Sequence, residues 1–169
     1  MRVALVTGAA GGIGSATVSR LSEQGYAVVG IDLEEAPESD TVAHVVGDVR
    51  DRYVLKGAVD FALARWGRLD AAVAAAAVIA GGQPLWETSD EELQTLWDVD
   101  VRGVWNTAVV AVPAMLAGPD PRGCRFVAVA SSIGVFVEPG ETATAVTPVA
   151  TRSAASPFTR PTTACLTVL

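Results

Sequence analysis

Several residue types are nearly missing from this chain. Lys56, His44 and Asn106 are the sole lysine, histidine and asparagine among 169 residues, and no tyrosine follows Tyr53. The two cysteines, Cys124 and Cys165, match neither zinc-ligand nor Cys-x-x-Cys spacing and give no disulfide framework, so reduced thiols of a cytoplasmic protein are expected. His44 falls in a predicted strand and is expected to be a packed or edge residue, not a metal ligand. Long apolar runs are lacking too. The most apolar stretch, Ala71 to Ala80, is too short to span a bilayer, and Val3 to Val6 is too short for a signal peptide.

Charge is scarce and tilted to one sign. Only 18% of residues are charged, with 12 basic against 19 acidic, for a net charge of −7. An acidic surface repels phosphate backbones and anionic lipid, which argues against nucleic-acid and membrane partners. An anionic ligand would have to be held by local backbone dipoles. What the chain does have is apolar mass, at 50% hydrophobic residues. A single domain of this length buries roughly 70% of its unfolded surface.

The composition changes along the chain. Threonine occurs six times before Pro139 and eight times from Thr142 onward, where proline is also frequent and lysine, tyrosine and aspartate are missing. Residues 1–134 read as domain text and residues 135–169 as an irregular Thr/Pro/Ala-rich tail.

The first part alternates strand-like and helix-like segments. Val3–Val6, Ala27–Ile31 and Val42–Val46 are short buried-strand runs, and Ala71–Val78 and Arg125–Ala130 continue the series. Helical spacing covers Ile13–Leu21, Asp51–Trp66, Asp90–Trp97 and Val101–Leu116, with Thr88 or Ser89 as a cap for the third. Apolar strands alternating with helices predict an α/β fold, a Rossmann-type doubly wound parallel sheet of about five strands. Trp86, Trp97 and Trp105 are candidates for a substrate mouth, but helical spacing favours core or interface for Trp97 and Trp105.

The first strand leads into Thr7-Gly8-Ala9-Ala10-Gly11-Gly12-Ile13-Gly14. Glycines at such a turn permit positive φ, close approach of a pyrophosphate and tight helix–strand contact. The helix N-terminus adds free N–H groups and partial positive charge. A decorative turn could also collect glycines, but this one follows a strand, opens a helix, and is joined by Asp32 at the end of the second strand. A carboxylate there can accept hydrogen bonds from both adenosine ribose hydroxyls and repels a 2′-phosphate, so NAD is expected over NADP. Glu34 and Glu35 strengthen that repulsion.

These residues resemble the short-chain dehydrogenase/reductase family, whose fingerprint is Thr-Gly-x-x-x-Gly-x-Gly. Asp48-Val49 resembles the family's segment after strand three. Ala74-Ala75-Ala76-Ala77 stands where the family has Asn-Asn-Ala-Gly, and Val99-Asp100-Val101-Arg102-Gly103 where it has Val-Asn-x-x-Gly. The resemblance implies cofactor contacts from Gly8, Ala10, Gly12, Ile13, Gly14, Asp32, Leu33, Asp48, Val49, Ala75, Ala76 and Val99. It also implies hydride transfer between NAD and a small alcohol or carbonyl compound and, in intact relatives, a homo-oligomer built through the long helix and the catalytic helix. The wording of Gly81–Thr88 and Gly118–Arg122 is similar to the mycofactocin-coupled subgroup.

The resemblance, registered on Gly134, makes Ser131 the catalytic serine that orients the substrate oxygen, with Ser132 the near miss and a pair of small residues ending a strand as the plain alternative. The family's tyrosine and lysine would fall near Thr144 and Pro148, and Asp100 replaces its asparagine. A threonine hydroxyl titrates far above a phenol, and no cation stands beside it to lower it. The acid/base pair is therefore missing, together with the sixth and seventh strands, and the fifth strand is expected to be an open edge. A reading frame lost around codons 134–140 would explain this. Tyr-x-x-x-Lys in another frame downstream is the sign to look for. Two readings result: an oxidoreductase by family that is inactive as this chain, or a non-catalytic NAD-binding fragment or interaction module.

Overall fold

The computed structural model describes residues 1–79, 85–130 and the backbone of 165–168. Strands and helices follow one another in the expected order, beginning with β1 (Arg2–Thr7), α1 (Gly12–Glu23), β2 (Tyr26–Asp32) and β3 (Val42–Val46). They continue with α2 (Arg52–Trp66), β4 (Ala71–Ala74), α3 (Asp90–Leu96), α4 (Val104–Leu116), β5 (Arg125–Ala128) and β6 (Cys165–Val168). All strand pairs are parallel, in the order β3-β2-β1-β4-β5-β6. The order reverses at β1, where the chain leaves β3 and returns to lay β4 on β1's other side.

Local chemistry sets the helix ends. Asp51 caps α2 by accepting from the Tyr53 N–H, and Gly67, at φ +74°, closes it in the left-handed conformation that glycine adopts freely. Ser89 and Glu92 form a reciprocal capping box at α3. The helix α1 differs: Gly11 occupies its cap position and offers no side chain.

One core unites the sheet with α2 and α4. Val3, Leu5, Val29, Ile31, Ala72, Ala74 and Phe126 point from the strands into a cluster with Leu55, Ala58, Ala62, Ala111 and Met115. Burial of each large member contributes about 1.5–3 kcal/mol. The alternate positions Ala4, Val6 and Val28 are equally buried and face the α1 side, as the two-residue period of a strand requires.

Three expectations are corrected and one is narrowed. The fourth strand ends at Ala74 instead of Val78, because the Thr7 hydroxyl takes the N–H groups of Ala75 and Ala76 away from the ladder at 3.1 and 3.2 Å. The helix expected from Val101 begins as a π-helical turn, Trp97–Gly103, that passes into α4. Of the two alternatives for Trp97 and Trp105, core or interface, exposure of 55% and 63% removes the core and leaves the interface open. Finally, β5 is not an edge, since Cys165–Val168 pair beside it as a sixth strand. Leu166-Thr167-Val168 has strand propensity that the surrounding Thr/Pro composition conceals. Ser131, Gly81 and Gly82, and the positions near Thr144 and Pro148, lie outside the described residues. No helix among the described residues is long and apolar enough to cross a membrane.

Candidate dinucleotide site

The C-terminal ends of β1, β2, β3 and β4 surround a cavity of about 440 Å³, within the range of small-molecule and cofactor sites. It lies where the strand order reverses, the place where open α/β sheets bind ligands. Gly8, Ala10, Asp32, Leu33, Asp48, Val49, Ala75, Ala76 and Val99 line it. Gly12 and Ile13 lie instead on the adjoining surface groove along α1. Gly14 is buried beneath the turn, where a Cβ would fall on the Gly8 carbonyl oxygen. Its role is to let helix and strand touch. At Gly8, φ is +71° and a Cβ would stand 2.8 Å from the Ala76 backbone, so both conformation and space demand glycine.

The floor of the cavity is electrostatically two-sided. The first turn of α1 has no capping side chain and no acidic residue, which leaves backbone donors and the positive end of the helix dipole for an anion. Opposite it, Asp32 accepts from the Ala10 N–H at 2.9 Å through Oδ2 and from the Glu34 N–H at 3.3 Å through Oδ1. Those bonds aim the carboxylate while leaving lone pairs for hydroxyl donors. A group with a pyrophosphate and a vicinal diol fits this donor and acceptor set.

Asp48 is held below the usual carboxylate range, chiefly by its side-chain hydrogen bond from the Arg50 guanidinium. Its neighbour Val49 is fixed from behind. The Asn106 amide donates to the carbonyl oxygens of Val49 and Arg50 at 3.1 and 3.2 Å, and its own oxygen accepts from Arg52 Nε at 2.6 Å. Gly103 in the π-helical turn allows this approach, since a Cβ there would meet Val49 Cγ2 at 2.6 Å. The same turn directs Asp100 Oδ1 to the Val78 N–H at 2.9 Å. The exit of β4 is thus tied at two points, Thr7 and Asp100.

Sequence reasoning missed Gly11, Gly47, Ala77, Val78 and Thr95, which also line the cavity, and it gave no role to Thr7 or Asn106. A lone asparagine in an apolar helix was the available signal for Asn106. His44 stands on the edge strand, and no group of three or more His, Cys, Asp or Glu residues among those described could hold a metal. Cys124 is buried and unbridged, and burial pushes its thiol up.

A parallel sheet with this reversal, a glycine turn without a cap and an acid at the end of β2 define a nucleotide-binding α/β protein. A family model described as short chain dehydrogenase matches residues 2–160, past residue 134 at which the motif resemblance ends. The chain belongs to the short chain dehydrogenase family. It is 33% identical over 162 aligned positions to an uncharacterised NAD-dependent oxidoreductase of Mycobacterium tuberculosis, covering 82% of this chain and 58% of that protein. To the (−)-trans-carveol dehydrogenase of Rhodococcus erythropolis it is 34% identical, over 79% of this chain and 56% of the relative. Among solved structures, carveol dehydrogenase from Mycobacterium avium in complex with NAD superposes with a TM-score of 0.69 at 31% identity, covering 77% of this chain and 54% of that one. The 3-ketoacyl-(acyl-carrier-protein) reductase of Brucella melitensis complexed with NADH gives 0.71 at 28%, covering 77% and 57%. The chain therefore spans between half and three-fifths of the length of these relatives.

Proposed function

We propose that this chain binds NAD as the dinucleotide-binding part of an alcohol or carbonyl oxidoreductase, and that the 169 residues do not by themselves complete hydride transfer. The observation that carries the binding is the pairing of the uncapped α1 turn with the Asp32 carboxylate across one cavity. The pyrophosphate would sit on the turn, the ribose hydroxyls on Asp32, and the adenine against Val49, Ala76 and Val99. NAD supplies the hydride acceptor, and this chain's residues bind and orient it. Asp32 and Glu34 would exclude the 2′-phosphate of NADP. The NAD complexes and NAD-dependent oxidoreductases among the relatives support the cofactor.

The absence of turnover rests on the sequence: no tyrosine follows Tyr53 and no lysine follows Lys56, so the proton relay of the family has no acid/base pair here. Ser131 would orient a substrate oxygen but cannot replace that pair. In this reading residues 1–134 carry the NAD-binding residues, and the tail that follows adds its strand Cys165–Val168 to the edge of the same sheet, in a cytoplasmic protein with reduced thiols. Membership of the mycofactocin-coupled subgroup is part of the same proposal, resting on the wording of Gly81–Thr88 and Gly118–Arg122.

Self-association is the partner proposal. Leu93, Trp97, Val101, Trp105 and Val109 are all exposed, at four-residue steps along one continuous helical run.

Calorimetric titration with NAD and NADP, followed by absorbance at 340 nm with a panel of alcohols, tests the main reading. The expected result is NAD binding, NADP binding at least about tenfold weaker, and no NADH formed. Equal affinity for the two cofactors would remove the role given to Asp32. Steady turnover would overturn the non-catalytic part.

A further inference from the structure

The only histidine lies beside the proposed adenosine end of the site without lining it. His44 is in register with Gly30 across the β2–β3 pair. A Cβ at Gly30 would come within 2.8 Å of the Ala9 methyl and 3.1 Å of His44 Nδ1. The missing side chain at residue 30 therefore lets the phosphate turn and the imidazole close on the same strand. From there the ring reaches the segment that follows β2. His44 Nε2 lies 2.7 Å from the Glu34 carbonyl oxygen, and a carbonyl only accepts, so Nε2 carries the proton. The backbone N–H of His44 donates to Glu38 Oε1 at 2.8 Å.

Between β2 and β3 the chain has no helix or strand, so the usual ladder does not fix Glu34. What fixes it is the imidazole on its carbonyl. The N–H of the same residue donates to Asp32 Oδ1, while Asp32 Oδ2 accepts from Ala10. A single connected path thus runs from the His44 ring through the Glu34 backbone to the Asp32 carboxylate and into the cavity.

We propose that His44 is a positioning residue for cofactor selection: by holding the Glu34 carbonyl it sets the direction of the Asp32 carboxylate and the place of the acidic segment that excludes a 2′-phosphate. The inference rests on the NAD reading given above. It predicts that the hydrogen-bond donor at Nε2 matters, beyond the bulk of the ring. Glutamine can place its amide nitrogen near the Nε2 position, whereas phenylalanine fills the space with no donor.

The experiment compares the unaltered chain with H44F and H44Q, using NAD and NADP as probes and calorimetry as the readout. H44F is expected to weaken NAD binding about threefold to tenfold, the range of one hydrogen bond, and to narrow the ratio of NADP to NAD dissociation constants. H44Q should restore most of both quantities. Hydrogen exchange at residues 33–38 should accelerate in H44F and not in H44Q, a readout that needs no cofactor. A general loss of folded protein would weaken both cofactors alike and leave their ratio unchanged, and that pattern overturns the proposal. So does equal impairment of H44F and H44Q, which would assign the effect to ring packing. If the unaltered chain binds NAD and H44F leaves affinity, ratio and exchange unchanged, this inference alone fails. No binding of NAD by the unaltered chain overturns the dinucleotide reading and this inference with it.

Discussion

Asp70 shows how one side chain can join the start of two strands. Its carboxylate is 4% exposed, accepts from the Val3 N–H at 2.8 Å and pairs with Arg68 at 2.5 Å. Burial alone would raise its pKa, but the bonds from Arg68 and Val3 outweigh it and the net displacement is downward. A carboxyl lowered on folding stabilises the folded state above its unfolded pKa of about 3.9, and that stability is lost as pH falls toward the lowered folded value. The Asp70→Asn variant should lose about 2 kcal/mol near neutrality, the scale of a charge-assisted bond whose partners stay behind. Its urea midpoint should also fall less steeply than that of the unaltered chain between about pH 5 and pH 2. Parallel midpoint-against-pH curves would show that Asp70 carries no such linkage. Nothing in the local sequence marks this residue, which directly precedes Ala71. Its partner Val3 is 67 positions away, and only the closed sheet brings them together.

At the scale of elements, β4 separates what a sequence can reveal from what it cannot. The run Ala71–Val78 is uniformly apolar, so its periodicity could fix neither type nor end; Gly67 before it and Gly81-Gly82 after it bound it as a strand. The end is set by a tertiary bond, from the N–H groups of Ala75 and Ala76 to the Thr7 hydroxyl. By contrast α2 and α3 were legible almost to the residue, because Asp51 and Ser89 write their caps into the local sequence. The glycine turn and Asp32 were legible for the same reason: both use backbone geometry and position along a strand. Thr7→Val tests the nonlocal part. It keeps shape and strand propensity but leaves two partly buried donors without an acceptor, at a cost of about 2 kcal/mol in unfolding free energy. Because Ala75 and Ala76 line the cavity, NAD affinity should also fall, by about threefold or more. A variant as stable as the parent in urea would mean the β4 exit is held by Asp100 alone.

For the whole molecule, the decisive feature is a surface that the alternation of strands and helices does not account for. Leu93, Trp97, Val101, Trp105 and Val109 step four residues at a time from α3 through the π-helical turn into α4. In a plain α-helix that spacing drifts around the axis, because a turn holds 3.6 residues. The wider i→i+5 turn at Trp97–Gly103 takes back part of the drift and keeps the row on one side. The row also reads nearly the same in both directions about Val101: aliphatic, tryptophan, valine, tryptophan, aliphatic. A two-fold axis through Val101 would place Trp97 of one copy against Trp105 of the other, the reciprocal pairing that an isologous interface requires. Under the self-association proposed above, this exposed apolar row on an acidic chain, net −7, is the face that a second copy would cover. Self-repulsion at that charge opposes association, so dimer formation should strengthen as salt rises, and light scattering at low and moderate salt would show it. Val101→Glu places like charges on the axis itself and should shift the population to monomer without changing NAD affinity. Because Val101 is 47% exposed in the single chain, the substitution should leave the urea midpoint of the monomer nearly unchanged. A monomer at every salt concentration would remove the second copy as the partner of this face.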